Sequence, residues 1–237
     1  MSNEPSIVAI IPARGGSKGI PRKNIRLLNG RPLIYYAIQE AKKSKYLGRL
    51  IVSTEDNEIA EAAKKYGAEV VERPVELAQD DTPSILVYQQ VIGYLKDSEN
   101  FSPDVIVILQ PTSSCRIVAD IDGAIEKYLG VDCDTVVSVC EAEHLPQWMY
   151  TLDGDRLSPV IEGGERVTIR QDAPKTYRLN GAVYVIHRDV VMVQNRIIGN
   201  DTRPFVMPLE RSVDIDTCLD FKLAEVLMKD NENSKDS

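Results

Sequence analysis

Apolar residues in this chain fall into short β-branched blocks separated by stretches with helical spacing. Residues 6–11 (SIVAII) form one continuous apolar run, which predicts a strand buried on both faces. Pro32 then opens the helical pattern PLIYYAIQEAKKS, with proline at an early position where its missing N–H costs little. Residues 49–53 (RLIVS) predict the next strand, 57–66 a helix capped by Gly67, and 69–71 a third strand. A helix is expected from Thr82-Pro83 to about Leu95, a buried strand over 105–109 (VIVIL), and a helix over 118–129. Strands alternating with helices imply right-handed crossovers and a largely parallel sheet covered on both faces.

The pattern breaks between residues 141 and 175. Helical periodicity disappears there, and Pro146, Trp148, Pro159, a Gly163-Gly164 pair and the alternating segment RVTIR (166–170) take its place. The expectation is one α/β domain, 1–140 and 176–229, interrupted by a small β-rich arm over 141–175. That arm would cover the site or pack on a second subunit, with an irregular loop as the plainer alternative. The polar end, DNENSKDS (230–237), is expected to be a disordered tail.

Bulk properties narrow the class. The 237 residues suit one sizeable domain, and 43% hydrophobic with 27% charged residues is ordinary for a soluble globular protein. No apolar run approaches the roughly 20 residues of a membrane helix, and no signal-peptide pattern opens the chain. Cys115, Cys133, Cys140 and Cys218 form no CxxC pair, so a zinc cluster or disulfide framework is not expected and a reducing cytoplasm is. A net charge of −8 argues against nucleic-acid binding.

The distribution of that charge is more informative than its total. Between Glu4 and Glu40 lie 35 residues without one acid, where the chain average would place about five, and the same stretch holds Arg14, Lys18, Arg22, Lys23, Arg26 and Arg31. An acidic protein with one segment cleared of carboxylates has a place for a compact anion. The loop PARGGSKGIPRKN also leaves the first strand directly, where ligands of open parallel sheets bind. Gly15, Gly16 and Gly19 would permit close backbone approach, positive φ and an inward-facing nest of N–H groups. Arg14 can grip phosphate through two parallel donors, with Lys18 and Lys23 as mobile point charges. The loop matches neither GxxxxGK[ST] nor GxGxxG. Glycines after a strand also serve as plain turn residues, so the residues alone leave that reading open.

A second site lies near the other end. In an extended DID segment, the two-residue period puts the carboxylates of Asp214 and Asp216 on one face and Ile215 toward the core. Two carboxylates plus substrate phosphates suit Mg²⁺. Thr217 followed by Asp220 equally resembles a capping box.

Five blocks together resemble the acylneuraminate cytidylyltransferase family: IPARGGSKGIPRKN, STEDNEIAEAAKKYGAEVVERP, LQPTSSCR, RQDAPKTYRLNGAVYV and SVDIDTCLDF, in family order over nearly the whole chain. The resemblance implies a three-layer, Rossmann-like α/β nucleotidyltransferase with a dimerisation arm. It implies transfer of CMP from CTP to the anomeric hydroxyl of a nine-carbon 2-keto sugar acid, with release of pyrophosphate and with Mg²⁺, or Mn²⁺ in its place. Arg14, Ser17 and Lys23 would hold the triphosphate, with Gly15, Gly16 and Lys18 completing the cradle, and Asn24 and Arg73 would lie near cytidine. Gln110, Arg170 and Tyr184 would face the sugar acid, Arg170 helping to neutralise its carboxylate, with Asn180 adding a polar contact. Arg73 before Pro74 and Tyr184 in AVYVI also read as a turn residue and a core aromatic. On the resemblance Asp214 and Asp216 become the metal ligands; between Asp216 and a water on the metal, the sequence does not choose the base.

Some positions depart from the family pattern. QPTSSCR carries Ser114 and Cys115 where Pro and Leu are usual, Ile169 stands where many relatives have a second arginine, and Trp148 stands where some sialate-specific members place a lysine. These changes admit sialic, legionaminic and pseudaminic acids and favour the more apolar, deoxygenated ones. Three rivals remain: a cytidylyltransferase for the shorter acid KDO, a metal-dependent glycosyltransferase with a DxD pair, and a nucleotide-sensing module without turnover.

Overall fold

A computed structural model describes residues 5–233. Seven strands form the central sheet: β1 (Ile7–Pro12), β2 (Arg49–Thr54), β3 (Glu69–Glu72), β4 (Val105–Ile108), β5 (Thr135–Glu141), β8 (Tyr177–His187) and β9 (Thr202–Val206). Two further strands, β6 (Tyr150–Asp153) and β7 (Arg156–Pro159), make a separate hairpin. The sheet order is β9-β5-β8-β4-β1-β2-β3, and every neighbouring pair is parallel except those that β8 makes with β4 and β5. The helices are α1 (Leu33–Lys42), α2 (Asn57–Lys65), α3 (Ser84–Glu99), α4 (Val118–Gly130), α5 (Arg188–Met192) and α6 (Cys218–Asn233).

The continuous apolar run of β1 has its cause in this layering. Ile7, Ala9 and Ile11 face one core with α1, α2 and α4, while Val8 and Ile10 face the other with α3 and α5. A strand covered on both sides has no polar face to alternate with. Helix α2 starts at Asp56, whose carboxylate accepts the Ile59 N–H, and stops at Gly67 with φ +89°. The chain lays down β1, β2 and β3 in one direction and then returns to place β4 on the other side of β1. The strand order therefore reverses between β1 and β4, which opens a crevice beyond their carboxyl ends.

A third, smaller core underlies that crevice. Ile20 from the loop after β1, Cys115 from the loop after β4, and Val213 and Ile215 from the chain before α6 pack together with Phe221 of α6. Three segments distant in sequence are thereby held edge to edge. In β8 the pairing shifts register between Leu179 and Tyr184. Asn180 fills the irregularity: it is buried, its Oδ1 accepts from Ser138 Oγ (2.6 Å) and the Ala182 N–H (3.2 Å), and its Nδ2 donates to Ser212 Oγ (2.8 Å). Gly181 follows at φ +71°, and a side chain there would also meet Gln110 Oε1 at 2.5 Å.

Two expectations are corrected. The alternating segment RVTIR is not a strand: Gly164–Arg166 and Arg170–Asp172 form 3₁₀ turns, and the hairpin lies upstream, closed by Gly154-Asp155 with Gly154 at φ +62°. Period-two alternation makes a strand only where a neighbouring edge accepts its ladder. The chain end is also more ordered than its polarity suggests, since α6 continues to Asn233; of the expected tail, residues 234–237 lie outside the described residues.

The Asn180 network yields a stability prediction. Replacing Asn180 with alanine leaves Ser138, Ser212 and the Ala182 N–H short of a buried partner and should cost about 1–3 kcal/mol. Urea unfolding would show a lower midpoint at unchanged slope; an unshifted midpoint would contradict the assignment.

Candidate active site

The loop after β1 is stapled down before it can meet a ligand. The Ala13 N–H donates to Ser53 O (3.0 Å) at the end of β2, and the Gly15 N–H donates to Glu55 Oε1 (2.6 Å). Asn24 Nδ2 reaches back to Arg14 O (2.9 Å), closing the loop on itself. Arg22 sits in the left-handed region at φ +55° and pairs with Asp56 and Glu58 at the start of α2. That turn sends the Arg22 side chain outward and the next side chain, Lys23, inward.

The expected nest of glycine N–H groups does not form. Gly15, Gly16 and Gly19 all keep ordinary negative or extended φ, and the Gly15 N–H is already used by Glu55. Gly15 and Gly19 serve contact rather than handedness: a Cβ on Gly15 would meet Asp56 Oδ2 at 2.5 Å, and one on Gly19 would collide with the Asp216 backbone carbonyl, whereas Gly16 faces open space. The charge that the loop offers an anion comes from its side chains.

Those side chains gather around one cavity of about 520 Å³ at the crevice. Arg14, Ser17, Lys18, Lys23 and Asn24 line it from the first loop, Arg73 from the end of β3, Gln110 from the end of β4, and Asp214 and Asp216 from the chain before α6. Lys23 Nζ donates to Ile215 O (2.7 Å) and Asp216 Oδ1 (3.0 Å), joining the first loop to the far end of the chain. The Ile215 N–H in turn donates to Thr112 O (3.1 Å) in the loop after β4. Arg73 is buried, donates to Ser53 O (2.7 Å) and Ser53 Oγ (3.2 Å), and has its proton affinity lowered by burial, which nearby Glu55 partly offsets.

The DID segment is arranged as its period requires. Ile215 is fully buried, while Asp214 and Asp216 both face the cavity. The capping box of Thr217 and Asp220 forms as well, without the Asp216 carboxylate: Asp220 Oδ2 accepts the Thr217 N–H (2.7 Å) and the Asp216 N–H (3.1 Å), and Thr217 Oγ1 accepts the Asp220 N–H. The Asp216 carboxylate is left to Lys23, with its side chain 73% exposed. Asp214 is half-buried; burial pushes its carboxyl above the usual range, with Thr112 opposing and Asp216 adding to the rise. Its Oδ1 is buried without a hydrogen-bond partner. An orphaned carboxylate oxygen beside a second carboxylate is a donor set that fits a hard divalent cation. No cluster of three acid, His or Cys ligands exists among the described residues, so such an ion would draw its other ligands from substrate oxygens and water.

Three expected residues are placed elsewhere. The polar atoms of Asn180 are used within the buried network. Tyr184 is buried in the sheet beside β4, near enough to Asp214 to feel its charge, but does not line the cavity. Arg170 is exposed at the base of the arm, bonded to Glu143 O, and borders a separate concavity. Other residues went unnoticed in the sequence. Asp80 projects into the cavity and pairs with Arg14 and Lys18. Arg116, the last residue of LQPTSSCR, is buried and donates to Ala182 O (2.6 Å) and Gln110 O (3.2 Å), fixing the strand ends that frame the crevice. Arg178 forks onto Glu143 (2.8 and 2.9 Å) and shares a neighbouring concavity of about 450 Å³ with Asp214. No spacing marks these residues, because their partners lie far along the chain.

The fold and site thus define an α/β protein that concentrates cations and a carboxylate pair in the crevice of a mostly parallel sheet. The family model described as cytidylyltransferase matches residues 8–200. A Campylobacter coli protein named post-translational flagellin modification protein B is 34% identical over 234 residues, covering 97% of this chain and 98% of that one. The CMP-N,N'-diacetyllegionaminic acid synthase of Campylobacter jejuni is 34% identical over 226 residues, covering 94% of each. A solved CMP:2-keto-3-deoxy-manno-octonic acid synthetase complexed with CTP superposes with a TM-score of 0.73 at 14% identity, covering 95% of this chain and 99% of that one; at this identity the likeness concerns the fold. The chain belongs to the cytidylyltransferase family and is a nucleotidyltransferase.

The half-buried Asp214 should weaken the fold it serves. A carboxyl whose folded pKa is raised supports the fold while protonated and loses that support as pH rises through the folded value. Asp214→Asn in EDTA should therefore raise Tm at pH 7, with the gain gone below the ordinary Asp value of about 3.9. Equal melting of the two proteins at pH 7 would refute this.

Proposed function

We propose that this protein transfers CMP from CTP to the anomeric hydroxyl of a nonulosonic acid and releases pyrophosphate. The observation that carries the reading is the meeting of Arg14, Lys18 and Lys23 with Asp214 and Asp216 in one crevice. Cations alone would suit any polyphosphate. The adjoining carboxylates suit a phosphoryl centre that must be approached by a second substrate. The named relatives, which include synthases for CMP-linked legionaminic acid, support the sugar class.

In this reading Arg14, Ser17, Lys18 and Lys23 bind the triphosphate, while Asn24 and Arg73 border the nucleoside. The acceptor enters past Gln110 on the Asp214 side. Arg178, close enough to Asp214 for their charges to interact, offers its carboxylate a guanidinium. The sugar hydroxyl oxygen attacks the α-phosphorus, the bond to the β-phosphate breaks, and the hydroxyl proton passes to Asp216 or to solvent. Lys23, tied to Asp216, spans the two halves of the reaction and offsets charge on the leaving pyrophosphate. Asp214 and Asp216 would hold Mg²⁺, or Mn²⁺ in its place, which when bound supplies further charge neutralisation at the transferring group.

The arm is the second part of the proposal. Leu152 and Leu157 pair across its hairpin and are exposed, as are Trp148, Tyr150 and Ile169 around it. A homodimer formed through 141–175 would cover this apolar surface. It would also give Trp148 and Arg170, which do not line the cavity of their own chain, a place beside the partner's acceptor. Among the described residues no helix is long and apolar enough to cross a membrane, and the cysteine pattern suits a reducing cytoplasm.

A pyrophosphate-release screen crossing four nucleoside triphosphates with sialic, legionaminic and pseudaminic acids and KDO tests the chemistry. Release should require CTP and a nine-carbon acid; release with KDO alone, or CTP binding without turnover on any acid, would overturn the reading. Asp216→Ala should lower kcat on the order of 10²-fold or more with the fold intact. Arg14→Ala should lower kcat, whereas an effect confined to the KM of the sugar would contradict its place on the triphosphate. Leu152→Asp with Leu157→Asp should convert a sedimenting dimer to monomer; an unchanged sedimentation coefficient would remove the arm from the interface.

A further inference from the structure

We propose that Asp80 is a built-in competitor for the phosphate cradle, a carboxylate that CTP displaces and whose presence helps pyrophosphate leave. The inference rests on the nucleotide reading of the cavity. The Asp80 carboxylate bridges two cations, with Oδ1 2.9 Å from Arg14 Nη2 and Oδ2 2.9 Å from Lys18 Nζ. The same guanidinium donates through Nη1 to Gln79 O (3.1 Å), so neighbouring residues of one strap occupy it from two directions.

The strap is presented by the fold. It runs from the 3₁₀ turn Val75–Ala78 to the start of α3. Gln79 Nε2 donates to Val75 O (2.9 Å) and Thr82 Oγ1 to Glu76 O (3.2 Å), bonds that curl the segment and aim Asp80 into the cavity. Lys23, the third cation, faces Asp216. Each cation of the cradle thus has a carboxylate in place of a phosphate, which relieves the repulsion between Arg14 and Lys18 while no nucleotide is present.

Both partners of Asp80 are partly wet, with side chains 31% exposed for Arg14 and 76% for Lys18, so the pairing is weak and exchangeable. A triphosphate carries more charge and meets Arg14 with two parallel oxygens. Once displaced, Asp80 stays on a strap bordering the phosphates and repels them. That repulsion weakens CTP and pyrophosphate alike, and the weaker product leaves sooner, a step that limits turnover in many enzymes.

Calorimetric titration of the 237-residue chain with CTP and with inorganic pyrophosphate separates the outcomes. Asp80→Asn keeps an acceptor oxygen for Arg14 and removes only the charge; Asp81→Asn removes a neighbouring charge outside the pair. Asp80→Asn should bind both ligands about three- to fivefold more tightly, the upper part of the range an exposed ion pair can bias, with product inhibition by pyrophosphate strengthened in parallel. Asp81→Asn should change either affinity by less than about twofold. Unchanged or weaker binding by Asp80→Asn would overturn the proposal, making the carboxylate a support for Arg14. Equal tightening by both variants would overturn it too, reducing the effect to net charge. Failure of the wild-type protein to bind CTP would instead sink the nucleotide reading itself, so the two failures are told apart.

Discussion

Lys23 ties the first loop of the chain to its last irregular segment, and the site depends on that tether. Its side chain is 13% exposed, and its ammonium bonds both the Ile215 carbonyl and the Asp216 carboxylate across more than 190 residues of sequence. A point charge with three donors can satisfy a backbone oxygen, a carboxylate and an incoming phosphate together. The small core of Ile20, Cys115, Val213 and Ile215 holds the segments at that separation, and Gly19 lets the backbones touch without a side chain between them. Neither the cations nor the carboxylates make a reactive crevice alone. Packing beneath the loop brings them to a common edge.

The region around that tether is built against its own stability. Asp214 keeps a buried oxygen without a partner, Glu55 keeps another, and Arg22 holds an unfavoured left-handed backbone through its pairing with Asp56 and Glu58. Such features persist where the surrounding structure over-determines them and where a ligand completes them. The rest of the sheet is conventional by comparison, with apolar strands covered on both faces and short caps at the helix ends. Unpartnered carboxylate oxygens, clustered cations and a strained turn gathered in one crevice suit a site for highly charged substrates.

The arm follows a different logic. Its hairpin lies apart from the central sheet, exposes both strands and draws little from the two main cores. Its apolar residues are thus poorly explained by the fold of one chain, which is what the proposed pairing of two arms would answer. Arg170 and Trp148 share this character. They carry chemistry suited to an acidic, partly apolar acceptor, yet they turn toward the arm's own backbone at Glu143 and Val167.

Periodicity was enough to mark the strands at 6–11, 49–53, 69–71 and 105–109 and the helices between them, because local pattern and final burial agree wherever both faces of a strand are covered. The basic loop and the DID pair were also legible, since charge clustering and a two-residue period are local properties. Long-range geometry decided the rest. Whether RVTIR became a strand depended on a neighbouring edge, and whether the loop glycines took positive φ depended on what stood beside them. Asn180 turned inward because a register shift left Ser138 and Ser212 in need of it. Asp80, Arg116 and Arg178 gained their roles only from partners elsewhere in the chain. Sequence by itself determined the kind of layers and the chemistry at each chain turn; tertiary structure decided which charges meet, because electrostatic pairing acts through space and spacing along the chain does not record it.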